Sequence, residues 1–108
     1  MKQLIILAIA VLSFTACTKQ DTVEGSWSAY SYSNDGNVTQ PAFVLELRDD
    51  NFVLRSTVDE QFDTGTYYIE NGVLHLNFGQ VTSEFNIVVQ ENDMTLSNEH
   101  EIIKLRRL

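Results

Sequence analysis

Cys17 is the residue best placed for chemistry in this 108-residue chain, because it is the only thiol and directly follows an apolar segment. It comes after Lys2, an apolar run over residues 4–14, and the small residues Thr15 and Ala16. The run is about half of the roughly 20 residues that a helix needs to cross a bilayer, so it predicts the hydrophobic region of a signal peptide. Cys17 has no partner for a disulfide within the chain, and an unpaired exposed thiol is a liability in an oxidising compartment.

The tetrapeptide Phe14-Thr15-Ala16-Cys17 resembles the lipobox of bacterial lipoproteins, although that pattern prefers Leu at the place of Phe14. The resemblance implies that residues 1–16 are a signal peptide and that the Cys17 thiol carries a diacylglyceryl group. Two or more acyl chains anchor a protein stably, because each buried methylene contributes about 0.8 kcal/mol. We therefore predict a lipid-anchored protein of the bacterial cell envelope, expected at the outer membrane, on either its periplasmic or its surface side. The alternatives are a buried free thiol, or secretory cleavage after Ala16 that leaves Cys17 unmodified.

Residues 17–24 are polar and are predicted to form a short tether behind the lipidated cysteine. Asp21-Thr22-Val23 in this tether resembles the acceptor tripeptide of some bacterial O-glycosylation systems, which would place a glycan on Thr22. A plain solvated linker is the alternative. The folded domain is predicted to span residues 25–108, which is too short for two hydrophobic cores.

The histidines and carboxylates of the domain match no catalytic or metal-binding motif. His75 and His100 are the only histidines, and neither lies beside a plausible nucleophile. Zinc needs three or four converging ligands, and the spacing of Asp59, Glu60 and Asp63 does not satisfy an EF-hand. The sequence predicts a noncatalytic protein without a metal or cofactor.

The charge of the chain restricts its partners. Lys and Arg number 7 against 15 Asp and Glu, which gives a formal net charge of −8. Nucleic acids and anionic lipid surfaces attract basic patches, so this balance argues against both as binding partners of the domain. An acidic body is suited instead to a basic protein such as lysozyme.

The domain is predicted to be all-β. Short β-rich segments recur at a spacing of about 8 to 12 residues, as in sandwiches and barrels. We predict eight strands, at residues 26–33, 42–48, 52–58, 64–70, 73–78, 82–90, 94–97 and 101–107. The breaks are short and polar, and Asn71-Gly72 is a strong signal for a type I′ hairpin. Connections this short force successive strands to pair antiparallel, so the expected arrangement is an up-and-down meander.

Alternation within the strands predicts one apolar face. Leu45, Tyr67, Leu76 and Phe85 are typical of the inward positions, because each belongs to a set of apolar residues that recur at every second position of a strand. Eight such strands can close into a barrel, which removes the unpaired edges that promote aggregation. A two-sheet β-sandwich is the alternative, since periodicity does not reveal closure.

Two motifs carry a family resemblance. Gly25-Ser26-Trp27 at the first strand resembles the Gly-x-Trp of lipocalins, and the run over residues 65–76 is similar to the central hairpin of small bacterial lipocalin-like lipoproteins. The resemblance covers most of residues 25–107. In lipocalins a basic residue at the end of the last strand packs over this Trp. Here the resemblance assigns that role to Arg106 or Arg107, and strand parity favours Arg107.

The resemblance implies a barrel that often holds a small apolar molecule, with Leu45, Tyr67, Leu76 and Phe85 as candidate lining residues. The strands of this chain are shorter than those of lipocalins, and an eight-stranded barrel is just wide enough to be filled by side chains or to hold one small ligand. We therefore predict a monomeric, envelope-anchored, noncatalytic binding or interaction domain. The alternatives are a carrier of a small apolar ligand in the barrel mouth and an inhibitor of a basic enzyme such as lysozyme.

Overall fold

The computed structural model describes residues 22–108, so the predicted signal peptide, Cys17 and most of the predicted tether lie outside the described residues. Nine strands occur in the described part of the chain: β1 (Gly25–Asn34), β2 (Asn37–Thr39), β3 (Phe43–Arg48), β4 (Asn51–Ser56), β5 (Phe62–Glu70), β6 (Val73–Asn77), β7 (Thr82–Gln90), β8 (Asp93–Ser97) and β9 (Glu101–Arg107). Eight of them coincide with the predicted strands to within two residues at each boundary.

These eight strands form an antiparallel meander that closes into a barrel. Each of β3 to β9 pairs with its neighbour along the chain, and β1 pairs with both β3 and β9. The β1–β9 ladder runs from the pair Trp27 and Arg107 to the pair Asn34 and Glu101. This ladder joins the first strand to the last, so the predicted barrel is confirmed and the sandwich alternative is wrong.

The ninth strand, β2, was missed. The polar residues 34–37 predict a break in the chain, whereas Asn37–Thr39 pairs with the last residues of β1. The turn is confined to Asp35 and Gly36, whose φ angles are +50° and +89°. Every residue of β2 is exposed, so no alternation between buried and exposed positions marks it as a strand.

The connections divide the barrel into two ends. The turns at Asp49-Asp50, Asn71-Gly72 and Glu91-Asn92 lie at one end together with Gly25 and Arg107, and we call this the closed end. The loops at residues 57–61, 78–81 and 98–100 lie at the other end with the β1–β2 turn, and we call this the mouth. Asn71 and Gly72 have φ of +54° and +77°, which confirms the predicted type I′ turn.

A β-bulge in β1 changes which side chains face the interior. The register with β9 shifts between Ala29 and Ser31, so that Tyr30 is the extra residue. Below the bulge Trp27 and Ala29 face inward. Above it Tyr32 faces inward, because it is paired with the buried Ile103 and packs against the core.

The core runs from the closed end to the middle of the barrel. Its fully buried members are Val23, Trp27, Leu45, Leu47, Phe52, Leu74, Met94 and Leu105. Val23, which lies within the residues predicted as a tether, is fully buried in this core. Alternation did not reveal this because Val23 precedes the first strand and is buried by folding under the barrel.

Within residues 22–108 the structure contains no helix that is long and apolar enough to span a membrane.

Candidate functional site

The closed end is sealed by one arginine and one tryptophan. The Arg107 guanidinium carbon lies 4.2 Å from the centre of the Trp27 ring, a cation–π geometry that contributes about 0.5 to 2 kcal/mol. Arg107 also donates hydrogen bonds to the carbonyls of Glu24 (2.9 Å) and Thr22 (3.1 Å), and the Trp27 indole donates to the carbonyl of Val23 (2.9 Å). Three consecutive carbonyls are thus held beneath the barrel. This arrangement closes that end to ligands.

Arg106, the other candidate for this position, points to the outside. Its guanidinium lies 4.6 Å from the centre of the Tyr30 ring and donates to Asp93 at 3.3 Å. The two arginines differ because adjacent strand residues face opposite sides of the sheet. Gly25 lies against Arg107, whose Nη1 is 3.0 Å from the position that a Cβ at Gly25 would occupy.

The predicted lining residues are part of the packed interior. Leu45 and Tyr67 are each 2% exposed and Leu76 is 5% exposed, while Phe85 is half-buried against them. None of the four lines the concavity that opens at the mouth between β3, β4 and β5. Side chains therefore fill the barrel to about its middle.

The Tyr67 hydroxyl is a polar group within this apolar interior. It is buried and has no hydrogen-bond partner among the described residues. Burial, followed by the negative charges of Glu24, Asp50 and Asp49, raises the pKa of Tyr67 to about 12. Tyr67 is consequently neutral at any physiological pH.

The mouth contains a concavity between β3, β4 and β5. Its volume is about 250 Å³, somewhat below the roughly 300 to 1,000 Å³ of sites for drug-sized ligands. Three apolar and four polar side chains line it: Phe43, Leu54, Phe62, Ser56, Asp59, Gln61 and Asp63. The concavity is large enough for a small molecule or for one side chain of a partner.

The loop over residues 57–61 gives this concavity a defined wall. The Ser56 hydroxyl accepts hydrogen bonds from the backbone N–H groups of Val58 (3.2 Å) and Asp59 (3.4 Å), and Asp59 accepts from the N–H of Gln61 (3.3 Å). A side-chain hydrogen bond between the Ser56 hydroxyl and the Asp59 carboxylate, followed by the bond from the Gln61 N–H, holds the pKa of Asp59 below its ordinary value. Asp59 therefore presents a fixed negative charge.

Strongly exposed apolar side chains concentrate at the mouth. Apart from the last residue, Leu108, the described hydrophobic residues that are more than three-fifths exposed are Val38 (69%), Val58 (78%), Phe62 (61%) and Val81 (62%). All four lie on β2, on mouth loops or at the first residue of β5. We call these four residues the mouth rim. Apolar side chains that are exposed at one end of a domain are a candidate contact surface.

The seam where β1 meets β9 ends in a polar network at the mouth. The Tyr32 hydroxyl donates to Glu101 (2.5 Å), and the side-chain amides of Asn98 and Asn34 donate to Glu101 (3.0 Å) and to the Tyr32 hydroxyl (3.1 Å). The bonds from Tyr32 and then Asn98 lower the pKa of Glu101. The same bond from Tyr32 raises the pKa of Tyr32, because it favours the protonated phenol.

This network predicts a pH-dependent contribution to stability. The folded pKa of Glu101 lies below its ordinary value of 4.5, so the contribution is fully present above pH 4.5 and is lost as the pH falls through the folded pKa. Glu101→Gln is expected to be less stable than the parent at neutral pH, and this difference in unfolding free energy should shrink below pH 4.5. Urea unfolding between pH 3 and pH 7 measures it. Glu99→Gln is the matched control, because Glu99 lies in the same turn outside this network. A gap that stays constant down to pH 3 would contradict the prediction.

The two histidines lie apart from each other on the outer surface. His75 stacks on Tyr68 with ring centres 4.2 Å apart and lies 3.3 Å from Glu84. His100 pairs with Asp35 at 3.0 Å. This contact forms because the β1–β2 turn packs against the β8–β9 turn. Within residues 22–108, no group of three or more His, Cys, Asp or Glu side chains is arranged to hold a metal ion.

The residues around the mouth concavity were not predicted as a site. Phe62 is the one available sequence signal, since it is a large aromatic between the polar residues Gln61 and Asp63. Spacing along the chain does not show that Phe43 and Leu54 lie across from Asp59 and Asp63.

Comparison with known proteins supports the fold. No protein-family model matches the chain, and no curated protein matches it significantly. The crystal structure of an uncharacterized protein from Bacteroides eggerthii DSM 20697 superposes with a TM-score of 0.67 at 13% identity, over 79% of this chain and 98% of that one. The crystal structure of a lipocalin-like protein from Bacteroides uniformis ATCC 8492 superposes with a TM-score of 0.68 at 15% identity, over 80% of this chain and 98% of that one. Identities this low establish a common fold only, and the described chain is accordingly a lipocalin-like β-barrel.

Proposed function

We propose that this protein is an envelope-anchored lipoprotein whose barrel is a noncatalytic binding module, and that it binds through the mouth. The observation that carries the proposal is the contrast between the two ends of the barrel. The closed end is sealed by Trp27 and Arg107, whereas the mouth has a concavity of about 250 Å³ and four exposed apolar side chains.

A deep internal cargo is not favoured by this arrangement. The protein's own side chains occupy the interior, including those of Trp27, Leu45 and Leu76. Protein interiors packed in this way hold few voids larger than a water molecule. The mouth concavity supports a more modest version of the carrier alternative, in which a small ligand is held at the surface between Phe43, Leu54 and Phe62.

The exit point of the chain supports binding away from the membrane. Thr22 is held at the closed end by Arg107, and the five residue-to-residue steps from Cys17 to Thr22 span at most about 18 Å when fully extended. A lipid on Cys17 would hold the closed end near the bilayer. The mouth would then face away from the membrane, where a ligand or partner is accessible.

The anchor itself is tested by Cys17→Ser. We expect this variant to lose metabolic labelling with a palmitate analogue and to accumulate as an unprocessed or mis-sorted precursor, because the acceptor thiol is absent. Gel mobility, labelling and membrane fractionation in a bacterial host measure the effect. Cys17→Ser protein that is processed normally and stays in the membrane fraction would refute lipidation at this residue.

The binding function is tested by native mass spectrometry of the mature protein released from its own membranes in mild detergent. We expect a copurifying molecule, and we expect the double variant Val58→Ser/Phe62→Ser to lose it, because those side chains form the rim beside the concavity. Val88→Ser is the matched control, since Val88 is 55% exposed on the barrel wall. A protein that carries nothing, or a bound molecule that is retained by the rim variant, would count against binding at the mouth.

A further inference from the structure

We propose that the mouth concavity binds an organic cation, namely an ammonium group carried on an apolar stem. The proposal rests on the proposed function of the mouth as the binding surface and adds the chemical class of the ligand. It follows from the combination of apolar walls and carboxylates at one small site.

The walls suit a short alkyl or aryl stem. Phe43 and Leu54 are half-buried and pack against the core from inside the barrel, and Phe62 lies at the lip and is 61% exposed. A stem between these side chains would remove apolar surface from water on both partners, which is favourable. The faces of Phe43 and Phe62 are also an attractive environment for a cation.

The charge of the site selects among apolar ligands. Asp59 and Asp63 line the concavity, and none of its seven lining residues is basic. A neutral ligand without a hydrogen-bond donor would displace water from these carboxylates without forming a compensating hydrogen bond or ion pair, and this costs free energy. An anionic ligand would add repulsion. An ammonium group instead compensates the carboxylates as it displaces their water.

The carboxylate of Asp59 is already positioned for such a contact. Its loop is held by the Ser56 hydroxyl, which accepts from two backbone N–H groups, and Asp59 accepts from Gln61 at 3.3 Å. Binding therefore requires little ordering of this wall, and preorganised sites lose less entropy on binding. The net charge of −8 further raises the local concentration of cations around the domain.

The same chemistry is present in a free alkylamine and in a lysine side chain of a partner protein. Three probes of equal length test the class: hexylammonium, 1-hexanol and hexanoate, each titrated into a ¹⁵N-labelled fragment that begins at Asp21. This fragment contains all nine described strands and all of the described core. A fourth probe, the peptide Gly-Gly-Lys-Gly-Gly, distinguishes the source.

We expect hexylammonium to give saturable amide shifts at Leu54, Ser56 and Asp63, with weaker shifts from hexanol and none from hexanoate. Asp59→Asn/Asp63→Asn should weaken hexylammonium binding about five- to tenfold, because the variant loses two partly solvated charge contacts. Glu70→Gln/Glu91→Gln removes the same charge at the closed end and should leave the affinity unchanged. Tighter binding of the lysine peptide than of hexylammonium assigns the cation to a protein partner, and the reverse order assigns it to a small molecule.

Equal affinities for hexanol and hexylammonium would overturn the proposal, and so would an equal loss of affinity in the two double variants. Absence of any shift at the mouth would overturn it as well. These failures are separate from failure of the proposed function, because copurification of a molecule that depends on Val58 and Phe62 would still identify the mouth as a binding surface.

Discussion

Trp27→Ala is expected to lower the unfolding free energy by about 3 to 5 kcal/mol, the usual cost of truncating a large buried aromatic. Trp27 is completely buried and its indole donates to the Val23 carbonyl at 2.9 Å. The substitution opens a cavity at the closed end, leaves that carbonyl without its donor, and removes the ring beneath the Arg107 guanidinium. Because a domain of this size has only about 5 to 15 kcal/mol in total, a large part of its stability is at risk.

Urea unfolding of the fragment that begins at Asp21 measures this loss, and limited proteolysis should show faster cleavage. Trp27→Phe separates packing from hydrogen bonding. It keeps most of the ring volume and should lose only about 1 to 3 kcal/mol for the unpaired carbonyl. A loss below about 1 kcal/mol for Trp27→Ala, the range of surface substitutions, would mean that Trp27 does not seal the barrel.

Gly65→Ala is expected to destabilise the barrel by about 3 kcal/mol, at the upper end of the usual cost of overpacking. A Cβ at Gly65 would lie 2.0 Å from the carbonyl oxygen of Asn77 and 2.7 Å from Cε2 of Phe52. Phe52 is fully buried and packs edge-on against Phe78 with ring centres 4.9 Å apart. The aromatic ring has little room to move, and a shift of Asn77 would disturb the ladder between β5 and β6.

Thr66→Ala is the matched control for Gly65→Ala. Thr66 is the next residue on β5, faces outward and is exposed, so its loss should cost less than about 1 kcal/mol. The two variants are compared by thermal unfolding followed by near-ultraviolet circular dichroism. Equal unfolding midpoints for Gly65→Ala and Thr66→Ala would show that a Cβ at residue 65 does not clash with the carbonyl oxygen of Asn77.

The packed interior and the mouth of the barrel differ in how they respond to substitution. Trp27 and Gly65 both act by close packing and are sensitive to small changes in volume. At the mouth, Phe62 and Val58 are exposed and are expected to tolerate substitution with little loss of stability. Variants at the mouth can therefore test binding without unfolding the protein.

Much of the architecture could be predicted because it depends on local chemistry. Alternation of apolar side chains identified the eight barrel strands, and the Asn71-Gly72 turn followed from the positive φ angles that both residues tolerate. Short connections then required antiparallel neighbours. These signals are contained in a few consecutive residues, so they do not depend on distant parts of the chain.

Features that depend on distant contacts could not be predicted in the same way. The bulge at Tyr30 arises where β1 must match β9, and it turns Tyr32 toward Glu101, 69 positions along the chain. Val23 has the composition of a tether residue and is buried only because Arg107 and Trp27 hold the chain beneath the barrel.

The mouth concavity belongs to this second group. Its wall joins Phe43 on β3 and Leu54 on β4 to Asp59 in the loop over residues 57–61 and to Asp63 on β5. Periodicity assigns each of these side chains to a face of its own strand, but it does not show how far the interior is filled. Filling depends on how the summed side-chain volumes fit the diameter of the closed barrel, a property of all eight strands together.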